Sequence, residues 1–217
     1  MFDTVKARRM MVDGQVRTAD VTTLDLIAAM LAIPRELFVP PSLVGQAYLD
    51  GDIPLGGGRA LLKPMVLAKL IQGAHVGAAD HVLDVGCGIG YASAVLSRLV
   101  GSVVALEEDA TLARRAQEAL GAVGAANVTV ATCPLTAGWP AAAPYDFILL
   151  DGATEIVPDA LGRQLKPDGR MACIVGRGPT GKAMLYRKVE GHLVGRPIFD
   201  AGAQILPGFA ALPAFVF

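Results

Sequence analysis

The chain has 217 residues and a formal net charge of −1, with 53% hydrophobic and only 18% charged residues. Such a composition excludes disorder and can fill a substantial core, while the near-balance of charge leaves no electrostatic footprint for nucleic acid or an anionic membrane. Cys87, Cys133 and Cys173 are an odd, scattered set, and His75, His81 and His192 lack ligand spacing, so neither a disulfide framework nor a metal centre is expected. Met1 opens onto polar residues, and no run of 18 apolar residues occurs; the expectation is a soluble, cytoplasmic protein.

In chain order, residues 5 to 18 read as a helix. A second spans 22 to 33, with Thr22 or Thr23 as N-cap and Pro34 as its stop. Residues 34 to 42 and 47 to 64 are rich in proline and hold Gly56, Gly57 and Gly58, so irregular surface backbone is predicted there. A helix over 64 to 76 starts with Pro64 in its first turn. Together residues 1 to 75 are expected to form a helical, loop-rich extension that contributes to the acceptor site, ahead of a Rossmann-like core at 76 to 217, all within one domain.

From residue 81 short apolar runs alternate with helical stretches: HVLDVG, a helix at 91 to 100, SVVALE, a helix at 110 to 124, NVTVAT, then YDFILLDG. A short helix at 158 to 165 and the run GRMACIV at 169 to 175 continue the series. That pattern predicts an α/β, Rossmann-like, doubly wound and mostly parallel sheet. The tail segments AMLYRKVEG, HLVGRPIFD and PAFVF lack intervening helices and predict antiparallel strands at the sheet edge.

VLDVGCGIGY (82 to 91) carries the chemistry. Gly86, Gly88 and Gly90, with Cys87 between, end a strand and enter a helix, which lets a ligand approach the backbone. The spacing is GxGxG, and Tyr91 stands where a dinucleotide fingerprint needs its third glycine. Asp84 would repel a diphosphate but attract an ammonium or sulfonium group. S-adenosylmethionine carries both. Glu107 ends the next strand and can accept hydrogen bonds from both ribose hydroxyls. Glu108 and Asp109 beside it also suit an acidic helix start.

Over nearly its whole length the chain resembles the protein-L-isoaspartate O-methyltransferase family, in MVDGQVR (11 to 17), IPRELFVP (33 to 40), AYLDGDIPLGGGR (47 to 59), the glycine loop, NVTV (127 to 130), GWPAAAPYD (138 to 146) and QLKPDGR (164 to 170). The resemblance implies a class I methyltransferase fold, S-adenosyl-L-methionine as donor, and methylation of isoaspartyl carboxylates on damaged proteins or peptides. It places Asp84, Gly86, Cys87, Gly88, Gly90, Glu107, Glu108, Pro134 and Leu135 around the cofactor.

Three positions depart from the family pattern. Leu62 stands where the family's substrate-loop serine is regarded as the active-site residue. Pro134, in Cys133-Pro134-Leu135, replaces an aspartate that holds adenine. Asp151 replaces a small neutral or hydroxyl residue near the transfer centre, as a loop cap before Gly152, a general base for another acceptor, or a charge that Arg59 or Lys63 must offset. A methyltransferase with a different acceptor, or a non-catalytic protein that keeps the cofactor pocket, stays open as an alternative. Tyr91, Trp139 and Cys87 read as packing residues, and GRGPTGKAM (176 to 184) as a loop that only echoes a P-loop.

Overall fold

The computed structural model describes residues 3 to 211, so the PAFVF strand expected at the C-terminus lies outside the described residues. Helix α1 (Thr4–Met11) starts at Asp3, whose side chain accepts the Lys6 N–H at 2.9 Å. The helix expected to continue to residue 18 changes pitch instead, into a π turn (Val12–Val16) and a 3-10 turn (Arg17–Ala19). There the Thr18 hydroxyl bonds back to the Gly14 carbonyl at 2.8 Å, a local competitor of regular helix bonding.

Helix α2 (Leu24–Ala32) follows Thr23, which makes no side-chain cap of its own helix. Instead Gln72 Oε1 accepts from Thr22 N, Thr23 N and the Thr23 hydroxyl at 2.7, 3.0 and 3.1 Å. Helix α3 (Pro64–Ala74), which carries Gln72, begins with proline at its first turn as expected.

Residues 47 to 64 are not wholly irregular. They contain an antiparallel hairpin, β1 (Ile53–Gly56) and β2 (Arg59–Leu61), closed at Gly57 and Gly58. Both have positive φ, 59° and 70°, the conformation a tight hairpin turn demands of its two central residues.

The main sheet is built from β3 (His81–Val85), β4 (Ser102–Leu106), β5 (Val128–Ala131), β6 (Tyr145–Thr154), β7 (Leu165–Val175), β8 (Lys182–Val189) and β9 (His192–Asp200). Its order is β5-β4-β3-β6-β7-β8-β9, parallel up to β7 and antiparallel through β8 and β9. Helices α4 (Tyr91–Leu96), α5 (Ala110–Ala122) and α6 (Asp159–Gly162) make the crossovers. Two are shorter than the pattern predicted: α4 gives way to turns after Leu96, and β7 starts at Leu165, inside the stretch assigned to a helix. The strand order reverses between β3 and β6, and the crevice at the carboxyl ends there is where open α/β sheets place ligands.

Both faces of the sheet are covered, as parallel strands require. Val82 joins the core shared with α1 to α4, whereas Leu83 and Val85 join the opposite core with Tyr145, Ile148 and Leu150. By alternation Asp84 shares the face of Val82, toward α4. Among the described residues no helix is long and apolar enough to cross a membrane.

Candidate cofactor and acceptor site

Gly86, Gly88 and Gly90 all have positive φ, 80°, 58° and 91°, and turn the chain from β3 into α4. The Gly86 and Cys87 amides donate to the Leu106 carbonyl at 2.9 and 3.1 Å, tying the turn to β4. Gly90 serves packing, since a Cβ there would stand 3.2 Å from Leu120 of α5. Above the other two glycines lie Leu55 of the hairpin, 2.6 Å from a Cβ on Gly88, and Leu206, 2.9 Å from one on Gly86.

Asp84 is fully buried; one oxygen accepts the Ser93 hydroxyl at 2.5 Å, and Oδ1 has no partner among the described residues. Burial raises its pKa to about 7, against the Ser93 hydrogen bond and helped by the nearby Glu107 charge. Asp151 is also buried and its Oδ1 has no partner either. Burial and then the Asp84 charge push its pKa up, which favours the neutral form. The loop-capping reading of Asp151 is corrected: β6 continues through Gly152 to Thr154, and Ala153 N donates to Gln204 O at 2.8 Å, so there is no loop to cap. The two unsatisfied carboxyl oxygens suit a cationic group, and the glycine turn gives backbone access beside them.

Glu107 is fully buried at the end of β4 and is already engaged. Arg59, whose side chain is 1% exposed, reaches it from β2 in a two-pronged pair at 3.0 and 2.8 Å. Gly88 N and Asp109 N add bonds at 2.9 and 3.1 Å. Asp109 caps α5 by accepting from Thr111 N and Leu112 N, as the acidic helix start implied. Glu108 does not share that role: it lies 3.7 Å from Arg59 and accepts from Leu135 N at 3.3 Å. With Pro134, Cys133 and Gly57 it lines a cavity of about 570 Å³, while Leu135 is buried against the face of Gly86.

Leu62 carries no polar chemistry, and the residue is 1% exposed in the larger core. Its carbonyl accepts from Arg35 at 2.8 Å. Arg35, which the sequence pattern left unremarked, is wholly buried, donates to Ala47 O at 2.8 Å and lies 4.7 Å over the Tyr91 ring. Tyr91 meets Phe38 edge-on at 5.6 Å, in the packing role expected of it. Lys63 N donates to Asp52 Oδ1 at 2.8 Å. Asp52, Pro54, Arg59 and Gln204 line a second cavity of about 380 Å³ on the other side of the hairpin.

Cys87 is buried, and burial pushes its thiol up, away from the thiolate form a nucleophile needs. Trp139 packs against the second core. Gly181-Lys182 leads into strand β8, not a helix, which removes the P-loop echo, and Lys182 pairs with Asp200. The sequence reading missed Ser93, Leu55 and Leu206; only Ser93, a hydroxyl within a buried helix start, gave a local signal. A groove of about 500 Å³ lined by His75, Arg170, Arg187 and Arg196 lies away from all these residues.

Comparison with known proteins matches residues 7–199 to the protein-L-isoaspartate(D-aspartate) O-methyltransferase family model. The chain is 41% identical over 185 residues to a protein-L-isoaspartate O-methyltransferase of Methylorubrum extorquens, covering 85% of this chain and 80% of that one. It is 40% identical over 181 residues to the Pelotomaculum thermopropionicum protein of the same name, covering 83% and 79%. A solved protein-L-isoaspartate O-methyltransferase superposes with a TM-score of 0.81 at 26% identity over 93% of this chain and 66% of that one. A Plasmodium falciparum structure, solved with S-adenosyl-L-homocysteine, matches in fold with a TM-score of 0.77 at 14% identity over 92% and 97%.

Proposed function

The chain belongs to the protein-L-isoaspartate(D-aspartate) O-methyltransferase family, and from that premise we propose that it methylates L-isoaspartyl carboxylates of damaged proteins and peptides with S-adenosyl-L-methionine as donor. The observation that carries this reading is the family match across residues 7–199 combined with the Asp84, glycine-turn and Glu107 arrangement. It is the chemistry of a cationic, ribose-bearing ligand.

Bound there, S-adenosylmethionine supplies an electrophilic methyl group on a sulfonium. Asp84, whose Oδ1 has no partner among the described residues, would hold the ammonium of the methionine part. Glu107 takes the ribose hydroxyls, and Glu108, Pro134 and Leu135 border the adenine. Gly86, Cys87, Gly88 and Gly90 supply the backbone turn. The hairpin and the 62 to 64 segment shape the acceptor side.

The acceptor carboxylate is already ionised, so transfer needs alignment and exclusion of water more than a base. Held there, the sulfonium would supply its methyl group to an acceptor oxygen and keep the electron pair of the broken C–S bond, while this chain's part would be to align the two and keep water out. Burial and the Asp84 charge push the Asp151 pKa up, which disfavours the charge that would repel a second carboxylate. Leu62 contributes a fixed backbone carbonyl, held by Arg35, and no hydroxyl. We place the protein in a reducing, cytoplasmic setting, which suits its three free cysteines.

The test is calorimetric binding of S-adenosylmethionine, followed by methyl transfer to an isoaspartyl peptide and to its aspartyl twin. Transfer to the isoaspartyl form alone is expected. Binding without transfer to either peptide would move the assignment to a different acceptor.

A further inference from the structure

Glu107, read above as the ribose anchor, has no acceptor capacity to spare. A carboxylate offers about four lone-pair positions. Oε1 accepts from Arg59 Nη2 and Asp109 N, and Oε2 from Arg59 Nε and Gly88 N. The two amides belong to the turn and to the start of α5, so they are fixed. Only the guanidinium can leave.

We propose that Arg59 is a latch on the cofactor site: it holds the two positions of Glu107 that a ribose needs, and the cofactor binds only when the β1–β2 hairpin withdraws it. This rests on the reading of Glu107 as the ribose anchor. Leu55 of β1, paired with β2, sits over Gly88, 2.6 Å from where a Cβ would stand, so withdrawing Arg59 with the hairpin also lifts Leu55 from the glycine turn. Glu108, 3.7 Å from the guanidinium and with its side chain 32% exposed, is an adjacent carboxylate that can take Arg59 as it leaves. Arg59 lines both the 570 Å³ cavity beside Pro134 and the 380 Å³ cavity beside Asp52. Its withdrawal therefore opens the wall between the adenine side and the acceptor side. A side chain that must be displaced from the binding-competent state lowers apparent affinity by the fraction of time the site is shut.

The experiment compares wild type, Arg59→Met and Arg59→Lys by calorimetry with S-adenosylmethionine and S-adenosylhomocysteine. Arg59→Met is expected to bind both about tenfold more tightly, the scale of a lost charged hydrogen-bond pair. Both ligands gain by the same factor, because the cost of opening belongs to the shared unliganded state. Arg59→Lys, which keeps the charge but not the fork, falls between. In stopped-flow mixing the wild-type association rate levels off at high ligand, whereas that of Arg59→Met stays linear. Equal or weaker binding by Arg59→Met overturns the latch. If that variant melts below the assay temperature, Arg59→Lys decides alone: tighter than wild type supports the latch, equal or weaker overturns it. Absence of binding in all three proteins overturns the cofactor reading and the latch together, whereas binding indifferent to position 59 overturns the latch only.

Discussion

Ser93 donates its hydroxyl to one oxygen of Asp84 and leaves the other, equally buried oxygen without a partner among the described residues. On the proposed function a carboxyl group half satisfied in this way meets the cation of the cofactor, and its own ionisation becomes part of ligand binding. Below pH 7 it is largely protonated and presents little charge.

Affinity for S-adenosylmethionine is accordingly expected to rise as pH increases from 6 to 8, through the Asp84 pKa of about 7. Asp84→Asn should lose roughly tenfold or more in affinity at pH 8 and show a flatter profile, since it lacks a charge-assisted bond. Titration calorimetry at several pH values reads both; an unchanged affinity in Asp84→Asn removes the residue from the site.

The unliganded fold should respond in the opposite sense. The Asp84 pKa is raised in the folded state, so its neutral form stabilises, fully below the unfolded value near 3.8, and that contribution is lost as pH rises through about 7. Melting temperatures from pH 4 to 8 should therefore fall more steeply for wild type than for Asp84→Asn. Parallel curves would contradict the burial argument.

Arg35→Met is expected to cost about 3 kcal/mol, because the Ala47 and Leu62 carbonyls lose a charged donor in a dry interior. For a chain of this size that lowers the melting temperature by roughly 6 to 12 °C. A loss under ~1 kcal/mol would show that water or a neighbour replaces the guanidinium.

Leu62→Ser tests whether a hydroxyl at the family position restores anything. The side chain is buried, so the substitution should destabilise by about 2 to 5 kcal/mol, the range for truncating a core leucine. Turnover on an isoaspartyl peptide, measured well below the melting point, should not rise. A marked gain in turnover would instead put this side chain at the acceptor.

Two glycines should behave oppositely. Gly88→Ala places a Cβ against Leu55 at φ 58° and should both destabilise and perturb the cradle. Gly14→Ala meets nothing within 4 Å and needs no left-handed backbone, so it should stabilise by about 0.4 to 1 kcal/mol. Thermal melts of the two variants decide this.

The cradle was legible because its signals are local: three glycines, an aspartate within the strand and a carboxylate ending the next. The sheet was legible from alternation of apolar runs. The hairpin at 53 to 61 was not, because strands of four and three residues carry too little period to register. The Arg59–Glu107 pair spans 48 residues, and nothing near either residue announces the other. Asp151 before Gly152 has the look of a turn, but pairing of Ala153 with Ile174 and with Ile205 keeps that backbone extended. Tertiary pairing overrode a local turn signal.

Gln72 binds the amides of Thr22 and Thr23 across some fifty residues, and it also donates to the Asp20 carbonyl. Met11, Val16 and Met30 share one apolar cluster with Ala172 and Ala201. The N-terminal block is thus keyed into the sheet rather than laid upon it. Grafting that block from a relative would mean recutting the Gln72 contacts and this shared core together, so the block is not an exchangeable module.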